Sequence, residues 1–232
     1  MNFNDKLYCS IAMGGWAEIG HTGEPESSPN VNGDVYPCCP GWLKDDTNPA
    51  GYDFGNIYKD KWEDVWNGEK AQEFRKSILD GSFKYCNENL CPHLQNVHSK
   101  PNVGSIESAP SVRKMKDIEL LYKEKGEYHR NIIEKQLTEL SLALDVVKMD
   151  YDRSCNLSCL SCRENLITPR GKEFELIEKI QNSVIKVIQE GTRKLYITGT
   201  GDPFGSATLR KFLLNFKKKN FPSVKNIRLH TN

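Results

Sequence analysis

Val146-Val147-Lys148-Met149-Asp150-Tyr151-Asp152-Arg153-Ser154-Cys155-Asn156-Leu157-Ser158-Cys159-Leu160-Ser161-Cys162 sets a strand-forming run directly ahead of three cysteines spaced C-x3-C-x2-C. Val146 to Tyr151 has the branched and aromatic character of a strand, so the cysteines fall on the loop that follows it. Thiolates this close together bind zinc or iron–sulfur clusters, whereas a structural thiol is only a small apolar filler. A closed zinc site takes four ligands. After Cys162 the chain has no further cysteine, and its one remaining histidine is His230. Three thiolates on a four-iron cluster leave one iron free to take a substrate or cofactor, so the spacing favours a catalytic cluster.

Downstream, Phe174, Ile177, Ile180, Val184 and Ile188 recur at helical steps, and Gly191 stops that helix. Lys194 to Thr198 reads as a strand, followed by the turn Gly199-Thr200-Gly201-Asp202-Pro203-Phe204. Ser206 can cap the next helix, with Leu209, Phe212, Leu213 and Phe216 on its buried stripe. Asn220 and Pro222 end that helix, and Ile227, Leu229 and Thr231 alternate as a third strand. Strand and helix in alternation mean parallel strands with right-handed crossovers, an α/β fold. Ligands in such sheets bind at the carboxyl ends of the strands, so the cysteine loop and the glycine loop should share one site.

The chain has 232 residues, 38% hydrophobic and 27% charged, enough for a packed core and too mixed for disorder. No apolar run approaches the ~20 residues of a membrane span, and Met1 to Gly15 does not read as a secretory signal. Eight cysteines without an export signal are expected as reduced thiols in a cytoplasmic protein. Residues 1–110 carry 9 Lys+Arg against 16 Asp+Glu, and residues 111–232 carry 23 against 15. The basic residues of the second part alternate with acidic ones, which argues against nucleic acid. Lys217 to Lys219 reads as a solvated helix end.

Cys9, Cys38, Cys39, Cys86 and Cys91 form a second group in the acidic part. Turn-formers crowd Gly20 to Gly55, and Trp62, Val65, Trp66, Phe74, Ile78 and Leu79 predict one or two helices between Lys61 and Leu79. So small and irregular a region gains stability from a metal or cluster crosslink. Spacing alone does not separate a four-thiolate zinc site from a four-iron cluster. His93 and His98 are close enough in sequence to substitute as ligands, although solvated loop histidines are commoner. The four tryptophans read as core.

The second region resembles the start of a radical S-adenosylmethionine (SAM) enzyme, whose hallmark is C-x3-C-x2-C after the first strand of a partial (βα)6 barrel. The resemblance implies that Cys155, Cys159 and Cys162 hold a [4Fe-4S] cluster whose fourth iron takes exchangeable SAM. Cleavage of SAM by the reduced cluster would give a 5′-deoxyadenosyl radical that abstracts hydrogen from a substrate. Thr200-Gly201-Asp202-Pro203 matches the family's Gly-Gly-Glu-Pro-like stretch, which contacts the methionine amino group. A backbone without bulky side chains can approach the ligand, and a carboxylate suits an ammonium. Alone such a turn is more often structural; behind the cysteine trio it carries more. Ser161 stands where the family usually has an aromatic residue near the adenine, so no adenine contact is assigned, and no catalytic residue is assigned either. Only three of six barrel strands fit before Asn232, so the expectation is a truncated barrel with an exposed sheet edge.

Gly33-Asp34-Val35-Tyr36-Pro37-Cys38, Gly55-Asn56-Ile57, Trp62 to Trp66 and the Cys86/Cys91 pair before Pro92 resemble SPASM/twitch auxiliary-cluster domains. This resemblance implies one auxiliary [4Fe-4S] cluster on Cys9, Cys38, Cys86 and Cys91, with Cys39 as the alternative to Cys38 and zinc as the alternative metal. In the family the domain usually follows the barrel; here it precedes it. The expected organisation is a SPASM/twitch-like α+β domain over residues 1–98, a helical linker over 99–143, and half a radical SAM barrel over 144–232. In the linker, Lys114 to Lys125 and Asn131 to Leu142 read as solvated helices. The expected function is a radical SAM oxidoreductase acting on a peptide, sugar or small molecule, supplied by a donor such as a flavodoxin or ferredoxin. The alternative is a non-enzymatic zinc or iron–sulfur module or electron carrier.

Overall fold

The computed structural model describes residues 6–20, 32–45, 51–95, 112–117, 126–159, 165–197 and 201–231. Within the first half lie β1 (Leu7–Cys9), α1 (Ser10–Met13), β2 (Trp16–Ile19), β3 (Val35–Tyr36), α2 (Trp62–Asn67), α3 (Glu69–Leu79) and α4 (Pro92–Gln95). The second half follows with β4 (Val112–Lys114), α5 (Gly126–Lys135), β5 (Val146–Met149), α6 (Lys172–Gln189), β6 (Lys194–Ile197), α7 (Ala207–Leu214) and β7 (Asn226–Leu229).

The alternating strands β5, β6 and β7 pair in parallel, with Val147 opposite Leu195 and Leu195 opposite Ile227. Val147, Met149, Leu195 and Ile197 are buried, and they share one core with Ile180, Val184 and Leu209 of the crossover helices. Ser206 caps α7 by accepting from Leu209 N–H at 3.0 Å. Gly191 leaves α6 at φ +132, a conformation that an L side chain resists. The mixed α/β fold with a parallel sheet follows from these elements. Lys217–Lys219 lies beyond α7, which ends at Leu214, and these exposed lysines open a short 3-10 helix over Lys218–Asn220 rather than closing α7.

The N-terminal region departs from its expected separation. Among the described residues the main sheet has five strands in the order β3-β2-β5-β6-β7. β2 pairs in parallel with β5, Trp16 opposite Val146 and Ile19 opposite Met149, and β3 pairs antiparallel with β2. The sheet therefore crosses the boundary expected between residues 1–98 and 144–232, and the β5 edge is covered by β2. Only four residues long, β2 has too little alternation to be read as a strand in a turn-rich context.

The connector also departs from expectation. Residues 138–142 are bonded along α2 and α3 and do not form a solvated helix. Trp62 Nε1 donates to Leu142 O at 3.2 Å, Trp66 Nε1 to Ser141 O at 3.0 Å and Arg75 Nη1 to Thr138 O at 2.8 Å. Asn67 pairs with Leu140 through both its amide groups, at 2.8 and 2.9 Å. Among the described residues helix α5 covers Gly126–Lys135, and its buried His129 meets Tyr8 Oη at 2.9 Å through Nδ1. Residues 118–125 lie outside the described residues. Trp66 is fully buried, as a core reading requires, and Trp62 stacks on it.

Candidate metal centres

Cys9, Cys38, Cys86 and Cys91 line one cavity, together with Phe83 and His93. Each is placed by a different local device. Cys9 ends β1 opposite Val112 of β4 and sits ahead of α1. Cys38 follows β3 within two residues. Cys86 bridges to Leu43 and donates its N–H to Phe83 O at 2.8 Å. Cys91 donates to Asn87 O at 2.8 Å, and its carbonyl accepts from Leu94 and Gln95 as α4 begins. All four are free thiols, and three of them are buried.

The electrostatics reflect this convergence. Burial raises the Cys9 thiol to about 11, with a further push from Cys91. Burial, then the neighbouring Cys9, Cys86 and Cys91, holds Cys38 well above its ordinary range. Cys86 is raised by the same causes, burial first and then Cys9 and Cys91. Thiols in such surroundings stay protonated unless a cation replaces the protons, which a metal does. This apolar pocket of soft donors suits a metal–sulfur cluster, in which separate metal atoms each take one thiolate. Among the described residues, no three His, Cys, Asp or Glu side chains are close enough together to chelate one ion. The cysteines surround the cavity and do not close on a single point.

Cys39 faces elsewhere. Burial raises its thiol, and the charges around it are Glu18, Lys148 and Asp150, none of which touches the cavity. Of the two adjacent cysteines it is Cys38 that lines the pocket. His93 lies on the cavity wall, edge-on to Trp42 at 5.2 Å, and burial lowers its pKa. His98 lies outside the described residues.

The second centre is partly described. Cys155 is buried, follows β5 and donates its N–H to Ile167 O at 3.2 Å. Cys159 is exposed, and Cys162 lies outside the described residues, as does Thr200. Gly201 and Asp202 pack against the cysteine loop, with Asp202 N–H donating to Ser154 O at 2.8 Å. A Cβ on Gly201 would lie 2.7 Å from both Asp152 O and Ser154 O, and one on Gly205 would lie 2.9 Å from Cys155 Cα. These glycines admit neighbouring backbone, which is a structural use. The Asp202 carboxylate, read from sequence as a partner for an ammonium, is 2% exposed and bonded within the protein. Its Oδ1 accepts from Phe204 and Gly205 N–H at 2.7 and 3.0 Å, and its Oδ2 accepts from Thr231 Oγ1 at 2.9 Å.

A charged cluster on the sheet escaped the sequence reading. Glu18 and Lys148 are register partners, and Lys148 Nζ lies 3.0 Å from Glu18 Oε1 and 2.5 Å from Asp150 Oδ2. Burial raises Asp150 to about 6, Lys148 lowers it and Glu18 raises it again. Burial opposes the Lys148 ammonium, but Asp150 and Glu18 outweigh it and hold its pKa above the ordinary value. The signal for this cluster was a polar residue at the third position of each strand, visible only once β2 is known to be a strand.

A parallel α/β sheet with a pocket of converging thiols defines a candidate metalloprotein. Residues 30–93 match the SPASM family, described as an iron–sulfur cluster-binding domain. The match takes in Cys38, Cys39, Cys86 and Cys91 and covers less than half of the chain. No curated protein and no solved structure matched the chain. No helix among the described residues is long and apolar enough to cross a membrane.

Proposed function

We propose that this chain is a radical SAM oxidoreductase whose SPASM segment carries an auxiliary iron–sulfur cluster. The observation that supports it best is the contact between two loops at the carboxyl ends of adjacent parallel strands. The cysteine loop after β5 and the glycine loop after β6 touch through Asp202 N–H and Ser154 O. Cys155, Cys159 and Cys162 would hold a [4Fe-4S] cluster that, when bound with SAM, supplies a 5′-deoxyadenosyl radical for hydrogen abstraction. Cys9, Cys38, Cys86 and Cys91 would hold the auxiliary cluster. Thiolates disposed around a cavity suit a cluster, in which each binds a different iron, better than one zinc with every sulfur at ~2.3 Å. Gly201 and Pro203 would offer backbone carbonyls to the SAM methionine ammonium, because the carboxylate, N–H and carbonyl of Asp202 are already bonded. A peptide, sugar or small-molecule substrate, a flavodoxin- or ferredoxin-type electron donor and a cytoplasmic setting complete the reading.

The test is anaerobic purification and reconstitution, iron and sulfide counting, and incubation with SAM and dithionite. The expected product is 5′-deoxyadenosine, lost in Cys159→Ala while iron on the N-terminal cysteines remains. A colourless, zinc-loaded protein that makes none would replace this reading with a zinc module.

A further inference from the structure

Asp152 is 2% exposed and accepts four hydrogen bonds, two on each oxygen. Oδ1 takes Ser154 N–H at 2.9 Å and Ser154 Oγ at 2.5 Å. Oδ2 takes Ser206 Oγ at 2.5 Å and Thr208 Oγ1 at 3.0 Å. The first pair belongs to the loop that enters Cys155; the second belongs to the N-terminus of α7, beyond the glycine loop. Ser206 Oγ also caps α7 through Leu209 N–H, so one hydroxyl joins the helix start to the carboxylate.

Ser154 N–H can only donate and each of the three hydroxyls has a proton to give, with Ser206 Oγ and Thr208 Oγ1 also 3.0 Å apart, so the site suits a group that only accepts. An ionised carboxylate meets this, and its charge-assisted bonds are roughly twice as strong as neutral ones. The backbone adds a parallel tie through Asp202 N–H to Ser154 O, and Asp202 in turn accepts from Thr231 beyond β7. Three successive strand ends are thereby joined by two carboxylates.

We infer that Asp152 is a positioning residue that locks the cysteine loop onto the start of α7 and so holds Cys155 in register with Gly201–Pro203. Its consequence for a cluster rests on the radical SAM reading; the lock itself does not. Asp152→Ala removes every acceptor at once. Asp152→Asn keeps the shape but turns an NH2 group either on Ser154 N–H or on the two hydroxyls of α7. Thr208→Val removes one donor, and Thr208→Ser retains it.

Hydrogen–deuterium exchange on the full chain tests the lock directly. Asp152→Ala is expected to speed exchange about tenfold in both 150–159 and 201–209 and to leave α3 unchanged, with Asp152→Asn between it and the parent. Thr208→Val should speed both segments more modestly and Thr208→Ser neither, which keeps the test decisive should Asp152→Ala fail to fold. A rise confined to 150–159, or no rise, overturns the inference. After anaerobic reconstitution, Asp152→Ala should lose the iron that Cys155→Ala also loses and keep the iron of the N-terminal cysteines. Full retention of that iron would likewise overturn the positioning role. A parent protein with no iron at Cys155 but with coupled exchange would sink the radical SAM reading and leave the lock standing.

Discussion

Glu18 and Lys148 stand 130 residues apart in sequence yet face each other across two parallel strands, their charged ends 3.0 Å apart. This pair joins a strand from the acidic N-terminal region to the strand that feeds the cysteine loop. The Lys148 ammonium also serves Asp150, so removing it takes the shared cation from two carboxylates, each 1% exposed. Breaking a buried pair by deleting one partner typically costs about 3–5 kcal/mol. Lys148→Met is expected toward the lower end, since the lysine itself is 22% exposed. Urea unfolding of the variant would show it, and an unchanged midpoint would mean that the charges do not depend on one another.

Asp150 gives the fold a pH dependence of definite sign. Its pKa is raised in the folded chain from 3.8 to about 6, so the folded state binds its proton more tightly than the unfolded state does. The stability this group contributes is complete below pH 3.8 and is lost as pH rises through about 6. Melting temperatures of the parent and Asp150→Asn, compared between pH 4 and 7, should differ in slope over that window. Parallel curves would count against it.

Cys38 and Cys39 are neighbours with opposite surroundings. Iron per chain in the reconstituted N-terminal site should fall in Cys38→Ser and stay at the parent level in Cys39→Ser. The reverse pattern would exchange their roles.

Gly201→Ala would set a methyl group 2.7 Å from two backbone oxygens, and backbone cannot swing aside as a side chain tip does. The expected loss is roughly 1–3 kcal/mol, the usual cost of overpacking. A variant as stable as the parent would show that the two loops do not press together.

Asn67 holds Leu140 by two hydrogen bonds and takes a third from Arg75 at 2.8 Å. Asn67→Ala should cost about 1–3 kcal/mol and raise amide exchange in 138–142 before it does so in β5. Uniform exchange across the chain would contradict that order.

The three strands β5, β6 and β7, helices α6 and α7 and the caps around Ser206 and Gly191 were legible because long periodic runs carry their own signal. Cys9, Cys38, Cys86 and Cys91 were grouped through the resemblance to SPASM/twitch domains, carried by the residues leading to Cys38 and by the Cys86/Cys91 pair before Pro92. What stayed hidden depended on partners distant in sequence. β2 is a strand because β5 completes its hydrogen bonds, and residues 138–142 are held because Trp62, Trp66 and Asn67 wait on helices far upstream. Of the partners of Asp202, the amides of Phe204 and Gly205 form a local turn that an Asp-Pro-Phe-Gly run could have announced, whereas Thr231 lies 29 residues away and could not be read locally.

The pairing of β2 with β5 has a kinetic side. A contact spanning 130 residues closes a long loop of chain, and such closures slow folding by their entropy. A cluster bound between Cys9 and Cys91 would shorten that loop by about half in advance. Loading of the N-terminal cysteines would then ease closure of the sheet by about 0.6 kcal/mol, the gain from halving a loop.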